Sequence, residues 1–456
     1  MKAGRRQTLQ KLAGIGGLSL AGGLGILGLG SKTANASDYK ALVIIHLNGG
    51  NDGNDLLVPI DGAFSDYSKS RPSIAVGQSN LMPFSSNVLD HRLGLNSACS
   101  SLMPLYDQGR LAFVVNTGPL VKPTTVSDVL NNRASLPPFL FSHPEQMQYV
   151  QGWMGDEDPS GWGGRAIEAM PAGVNPKANL VTIGHSRTDT LVMGRRSRIV
   201  SVDRNAHAGL GRANLRDSNN AYTQLMESIS RLQSRNPLEA EYSRTFKGLF
   251  NDNVELAKLD DYVGEPQANF ENNEIAESLR TASRIIPFYK SLGANRQIFL
   301  VDWGQFDTHA GQRNGDNIGT RDQDTQLNQL AKALVSFQTA ADAASFGNEV
   351  VVLVMSEFGR TLDPAAGFGS DHAWGNHWMV MGNPVRGGQF YGDTFPRLIL
   401  RGSDDADPGG RGHFVPQIPS DAVAADLVSW LGLPASEITK VFPNLANFAS
   451  KGVGLL

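Results

Sequence analysis

The chain has 456 residues, 41% hydrophobic and 18% charged, with 40 Lys and Arg against 44 Asp and Glu for a formal charge of −4. That composition excludes a disordered chain and leaves ample length for a large core. With no long basic run, nucleic acid is not an expected partner. Cys99 is the one cysteine, so no intramolecular disulfide forms. Set among small and apolar neighbours, it is expected to be packed rather than reactive.

Residues 1–36 read as an export signal rather than part of the fold. Arg5-Arg6 precede Gln7-Thr8-Leu9, an apolar, Gly-rich run extends from Leu12 to Gly30, and Ala34-Asn35-Ala36 fits a small-residue cleavage site before Ser37. The pattern resembles a twin-arginine signal, with Thr8 where an aromatic is common. The run is about long enough to span a bilayer. Its glycines make it weakly hydrophobic, and the cleavage site follows directly. Removal is therefore expected, with no stable membrane insertion afterwards and a periplasmic or extracellular location. Loss of Lys2, Arg5, Arg6, Lys11 and Lys32 leaves 35 Lys and Arg against 44 Asp and Glu, a formal charge of −9. Such a surface disfavours non-specific binding to anionic polymers.

Residues 37–456 are read as a single α/β domain. Ala41 to Leu47 is a continuous apolar run, the mark of a strand buried on both faces of a parallel sheet. It ends in Asn48-Gly49-Gly50-Asn51-Asp52-Gly53-Asn54-Asp55. Sites in open α/β sheets gather at the carboxyl ends of strands, which makes Asp52 a candidate metal ligand; Asn-Asp-Gly is equally turn chemistry. Ser97 to Tyr106 has the spacing of a short crossover helix. Leu111 to Val115 is a second buried strand. Beyond it, Ser142 beside His143 is a candidate catalytic pair, with Ser142 as nucleophile or metal-coordinating hydroxyl. The same residues suit a helix start, with Ser142 as N-cap and Pro144-Glu145 in the first turn. Trp162-Gly163 reads as a tight turn. From Asn214 to about Leu292 the pattern changes to long amphipathic helices, an insertion or cap on the sheet.

Gln297 to Trp303 is a third buried strand, followed on an irregular loop by Asp307 and His309. A helix from Gln323 to Ala343 and a strand from Glu349 to Met355 complete a βαβ unit, whose right-handed crossover brings both strand ends to one edge. Glu357 then adds a carboxylate there. Arg360 is a candidate to hold a phosphate or sulfate oxygen, or else pairs with Glu357. In Gly369-Ser370-Asp371-His372-Ala373-Trp374-Gly375-Asn376-His377, Asp371 adjoins His372 and His377 follows five residues later. A carboxylate beside two imidazoles on a flexible Gly-rich loop suits zinc or manganese. Residues 387–392 look like a hairpin, His413 is a further candidate ligand, and Asp421 to Gly432 closes the chain as an amphipathic helix. The mix of acids and histidines at these strand ends points to one ion, or to two about 3.5–4 Å apart.

Several of these stretches carry a family resemblance. Leu47-Asn48-Gly49-Gly50-Asn51-Asp52-Gly53, Arg71-Pro72, Phe306-Asp307-Thr308-His309, Ser356-Glu357-Phe358-Gly359-Arg360-Thr361, Asp371-His372 with Gly375, and Val441-Phe442-Pro443-Asn444 together resemble the bacterial domain-of-unknown-function 1501 proteins. That family is similar to the alkaline phosphatase and sulfatase superfamily. The resemblance implies a mostly parallel sheet with helices on both faces and Asp and His metal ligands at the strand ends. It also implies hydrolysis or transfer of phosphate or sulfate esters, small-molecule or glycan. By position, Asp52 resembles the first-strand ligand, and Asp307 with His309 the Asp/His pair, which the superfamily more often spaces four apart. Glu357 stands where an Asp is usual, or Asp371-His372 takes that role. The sulfatase signature of Cys or Ser followed by x-Pro-x-Arg is not met, because Ser142-His143-Pro144-Glu145-Gln146 lacks the Arg. The alternative is a non-catalytic exported protein that keeps the fold for binding or assembly.

Overall fold

The computed structural model describes residues 39–456 apart from 86–88, 156, 172, 175–177, 185–188, 208–214, 216 and 314–321. The export signal, and Asn214 where the helical region was expected to begin, lie outside the described residues. The described residues form one unit.

Nine strands make the main sheet: β1 (Lys40–Leu47), β2 (Leu111–Gly118), β3 (Ala178–Ile183), β4 (Ile199–Val202), β5 (Arg296–Trp303), β6 (Val350–Ser356), β7 (Asn376–Met381), β8 (Phe390–Tyr391) and β9 (Ile418–Pro419). Their order is β8-β2-β7-β6-β1-β5-β3-β4, with β9 also paired to β2. Among the nine, β7 alone runs antiparallel, against β2 and β6. The sheet is therefore mixed but mostly parallel, as expected. Alternate β1 residues face opposite sides: Val43, Ile45 and Leu47 enter one core, and Leu42 and Ile44 enter the other. All five are essentially fully buried, each contributing about 1.5–3 kcal/mol of hydrophobic stabilisation. That double burial is why the strand reads as an unbroken apolar run.

The helices are α1 (His143–Val150), α2 (Trp162–Ala169), α3 (Ala221–Ser230), α4 (Pro237–Leu256), α5 (Glu274–Ser291), α6 (Gln323–Ala343) and α7 (Ser420–Leu431). Helices α5 and α6 bury their apolar faces in one core, α2 and α7 in the other. Several details differ from expectation. Trp162-Gly163 begins α2 rather than forming a turn, because Gly161 and Gly164 let that segment press against Thr190 and Met193 backbone. Residues 390–391 add a short parallel strand beside β2 instead of closing a hairpin. The crossover before β2 is split into a 3-10 turn, Ser97–Leu102, and a short helix, Met103–Asp107. Of the helical region, α5 is a core helix, whereas Leu225 on α3, Leu238 on α4 and Leu232 between them are largely exposed.

Register sets the edge where the site forms. β1 lies between β5 and β6, and Leu47 stands opposite both Trp303 and Ser356. The segments after these three residues therefore leave the sheet side by side.

Candidate metal centre

Those three segments carry Gly49, Asp307 and Glu357. Gly49 has φ +105°, and a Cβ on it would lie 2.1 Å from the Asp307 nitrogen. Only glycine allows that approach, and it lets the Gly49 N–H donate to Glu357 Oε1 at 2.8 Å. Gly369 plays the same part on the other side, since a Cβ there would meet the His309 carbonyl at 2.1 Å. Arg360–Ala365 and Gly369–His372 form a two-stranded hairpin that carries Asp371 and His372 to the same place. Helix α1 brings His143 at its first residue.

The result is a tight convergence of ligand atoms. His372 Nε2 lies 2.9 Å from His143 Nε2, 3.0 Å from His309 Nε2 and 3.2 Å from Asp307 Oδ1. Asp307 Oδ1 is also 3.3 Å from His143 Nε2 and 3.0 Å from His309 Nε2. The other ring nitrogens show what these atoms carry. His372 Nδ1 faces the Phe141 carbonyl at 2.7 Å, and a carbonyl only accepts, so Nδ1 holds a proton and, in the neutral ring, Nε2 is left with a lone pair. His143 Nδ1 faces Glu357 Oε1 at 2.9 Å, with the same consequence. With both rings neutral, two imidazole lone pairs point at each other and at a carboxylate oxygen, an arrangement that a proton or a metal cation among them relieves.

A divalent cation fits. A tetrahedral zinc site with bonds of about 2.0–2.1 Å has edges of about 3.3 Å, close to the distances found here. Three imidazoles with one carboxylate favour zinc-class ions over magnesium. His143 with Asp307 and His372, and His309 with Asp371 and His372, each group three candidate donors. The groups behind them complete the pattern of oriented imidazoles seen around metal sites. Glu357 is fully buried and also accepts from Ser356 Oγ at 3.2 Å. His46, on β1, stands 3.5 Å behind it and is itself held by Asp302 at 3.0 Å. Phe141 has φ +77°, a strained conformation for a bulky residue, and it is this residue's carbonyl that orients His372.

Burial raises the Asp307 carboxyl, but His143, Arg360 and His309, when charged, outweigh it and hold it down to about 2. Burial lowers His372. For Glu357, burial acts upward and is outweighed by His143 and His46, which keep it below the usual carboxylate range.

The remaining sequence candidates fall elsewhere. Asp52 is buried in an ion pair with Arg71 and accepts from Gln312 Nε2 at 2.6 Å. His377 lies inside β7, not on a loop. Its Nδ1 accepts the Asn116 N–H at 3.0 Å, and burial depresses its pKa to about 4. The reversal through Ala373-Trp374-Gly375 sends it into the sheet and away from His372. Ser142 occupies the N-cap position of α1 without a capping bond, and its hydroxyl is given to Glu145. Arg360 is buried and occupied: it donates to Asp307 Oδ1 at 3.1 Å, to the Gly49 carbonyl at 3.2 Å and to the Ser370 carbonyl at 2.7 Å. It therefore pairs with Asp307, not Glu357. His413 is buried against the Phe141 ring, centroids 4.8 Å apart.

Sequence reasoning passed over His46 and Arg411. His46 hides in the apolar run of β1, where its alternation with Ile45 and Leu47 was a readable signal. Arg411 is half-exposed and donates to Asp371 Oδ2 at 2.8 Å and to Asp407 Oδ2 at 3.0 Å. It lies in the Gly409-Gly410-Arg411-Gly412 loop, which drew attention only for His413.

No curated protein matches the chain at a significant level. Among solved structures, it is similar to the PsFucS1 sulfatase from Pseudoalteromonas sp., with 9% identity and a TM-score of 0.33 over 80% of this chain. The chain spans 66% of that sulfatase's length, just under two thirds. It is also similar to the C-terminal periplasmic domain of EcEptC from Escherichia coli in complex with Zn, with 10% identity and a TM-score of 0.32 over 77% of this chain and 75% of that one. A third likeness is to the lipoteichoic acid synthase LtaP from Listeria monocytogenes, with 8% identity and a TM-score of 0.32 over 83% and 75% of the two chains. Among the described residues no helix is long and apolar enough to cross a membrane. Residues 39–396 match the model of the family described as "Protein of unknown function (DUF1501)", and the chain belongs to that family.

Proposed function

We propose that the protein is an exported, metal-dependent hydrolase of phosphate or sulfate esters, small-molecule or glycan, with one zinc-class ion held by His143, Asp307, His309 and His372. The observation that carries this reading is the convergence of imidazole lone pairs on Asp307. An ion bound there supplies Lewis acidity toward an ester oxygen. Glu357 and the Phe141 carbonyl fix the tautomers of His143 and His372, so both rings present lone pairs without rearrangement. Asp371 Oδ1, 3.6 Å from His309 Nδ1, places a negative charge beside the third ring. Arg411 is the exposed guanidinium at the rim and takes the anion-holding role first expected of Arg360. Water is the attacking group in this reading. The nearby hydroxyls are committed elsewhere: Ser142 to Glu145, Thr308 to the Phe306 carbonyl and Gln312, and Ser370 to Gln312.

One observation favours a second reading, a non-catalytic exported binding protein. The first-strand acid Asp52 is neutralised by Arg71, and no described hydroxyl faces the cluster. Aryl phosphate and aryl sulfate turnover by zinc-loaded protein separates the two. Turnover lost in His372→Ala supports the hydrolase, and zinc binding without turnover of either ester supports the binding protein. Export is tested by the N-terminus of protein recovered from the periplasm, expected at Ser37.

A further inference from the structure

The structure assigns a second binding site, away from the histidine cluster, to a small amine carried on an aromatic or apolar body. A cavity of about 360 Å³ lies beside the C-terminal end of α1, lined by Tyr149, Trp153, Met154, Phe442, Arg165 and Asp421 among others. That volume is within the usual range for small-ligand pockets, and apolar walls with a few polar groups are their usual make-up. None of the cluster residues lines it.

Its chemistry centres on Asp421, in the first turn of α7. Among the described residues, nothing donates a hydrogen bond to this carboxylate or forms an ion pair with it. Arg165 is the cation on the same wall, but its guanidinium is spent on backbone: Nη2 donates to the Val441 carbonyl at 2.9 Å and Nη1 to the Ser160 carbonyl. Burial raises the Asp421 carboxyl to about 6, with Arg165 opposing the rise. A carboxylate so placed, partly open to the cavity, has no protein donor, and an ammonium group supplies both donor and charge. Tyr149, Trp153 and Phe442 offer aromatic surface, which favours a cation and covers an apolar body. The Tyr149 oxygen accepts from Asn444 Nδ2 at 3.1 Å, and Asp421 is the anionic anchor. The Arg165 charge limits the ligand to a single positive group.

The test is calorimetric titration of the full chain with phenethylamine, 2-phenylethanol and 3-phenylpropanoate. At pH 7.5 phenethylamine is expected to bind at least about tenfold more tightly than the alcohol or the acid. Asp421→Asn is expected to remove that preference while leaving zinc uptake unchanged. Lowering the pH to 5 is expected to weaken amine binding by about tenfold, as the carboxyl takes up its proton. Amine binding no tighter than alcohol binding, or a preference that survives Asp421→Asn, overturns the assignment. Trp153→Ala, at a partly exposed position, is an independent check if the first variant fails to fold: lost amine binding supports the site, and unchanged binding overturns it.

Discussion

Two groups of acids lie at the same edge of the sheet, and they are balanced in opposite ways. In the first, Asp52 and Asp55 are buried with Arg71 between them, Arg71 Nη2 being 3.6 Å from Asp55 Oδ1. Arg313 stands 3.3 Å from Asp55 and pairs with Asp324, while Gln312 bridges Asp52 and Asp55. In the second, Asp307 faces three imidazoles, two of which, His143 and His372, turn Nε2 toward it while Nδ1 is held by an acceptor. The first group finds its positive charge within the chain. The second has Arg360 on one side and three imidazole nitrogens on the other. Residue type therefore does not separate a structural ion-pair network from a candidate metal centre; the difference is whether guanidinium groups alone, or imidazole nitrogens as well, surround the acid.

The largest expected effect is on the internally balanced group. Arg71→Ala leaves two buried carboxylates without their partner and is expected to cost about 3–5 kcal/mol in urea denaturation, with zinc uptake retained by the protein that folds. A loss below about 1 kcal/mol would place Arg71 outside the role of partner.

The pH dependence comes from the same side of the molecule. His377, whose pKa responds to burial and then to Asp52, titrates near 4 in the folded chain against about 6.5 when unfolded. Between those values the unfolded chain binds the extra proton. Its contribution is thus complete above pH 6.5 and is lost as the pH falls toward 4, by up to about 3 kcal/mol. Denaturation midpoints of wild type and His377→Asn across that window should converge as the pH falls. Parallel curves would contradict the assignment.

On the lone-pair side the ranking reverses, with large effects on metal and small ones on folding. His372→Ala is expected to lower zinc affinity at least about 100-fold while moving the stability of chelator-treated protein by less than about 1–2 kcal/mol. Glu357→Gln acts one bond further out, through His143, and is expected to cost about 10–100-fold in zinc affinity. Equal affinity in Glu357→Gln and wild type would remove the outer carboxylate from the account.

The sheet was legible because its central strands are buried on both faces, and only continuous apolar runs such as Leu42 to Ile45 satisfy that. The lone-pair cluster was partly legible for the same reason. Asp307 and His309 follow one such run, and Asp371-His372 stands out among glycines. Their distance relations were not readable. Asp52 looks like a ligand in sequence, and its neutralisation depends on Arg71, 19 residues away, folding over it. His377 looks like a partner of His372, but a strand reversal intervenes and β7 carries it into the sheet. His143 was noticed only beside Ser142, because nothing local shows that α1 begins against the end of β6. The amphipathic stripe of α5 read as a cap, since periodicity reports a buried face and not which surface covers it.

The most direct measurement is the zinc content of protein purified without chelator, beside His372→Ala purified in the same way. The account predicts one equivalent per chain in the wild type and close to none in a folded His372→Ala. An equal content in both proteins, or no zinc in a wild type that also fails to take it up on dialysis, would contradict it.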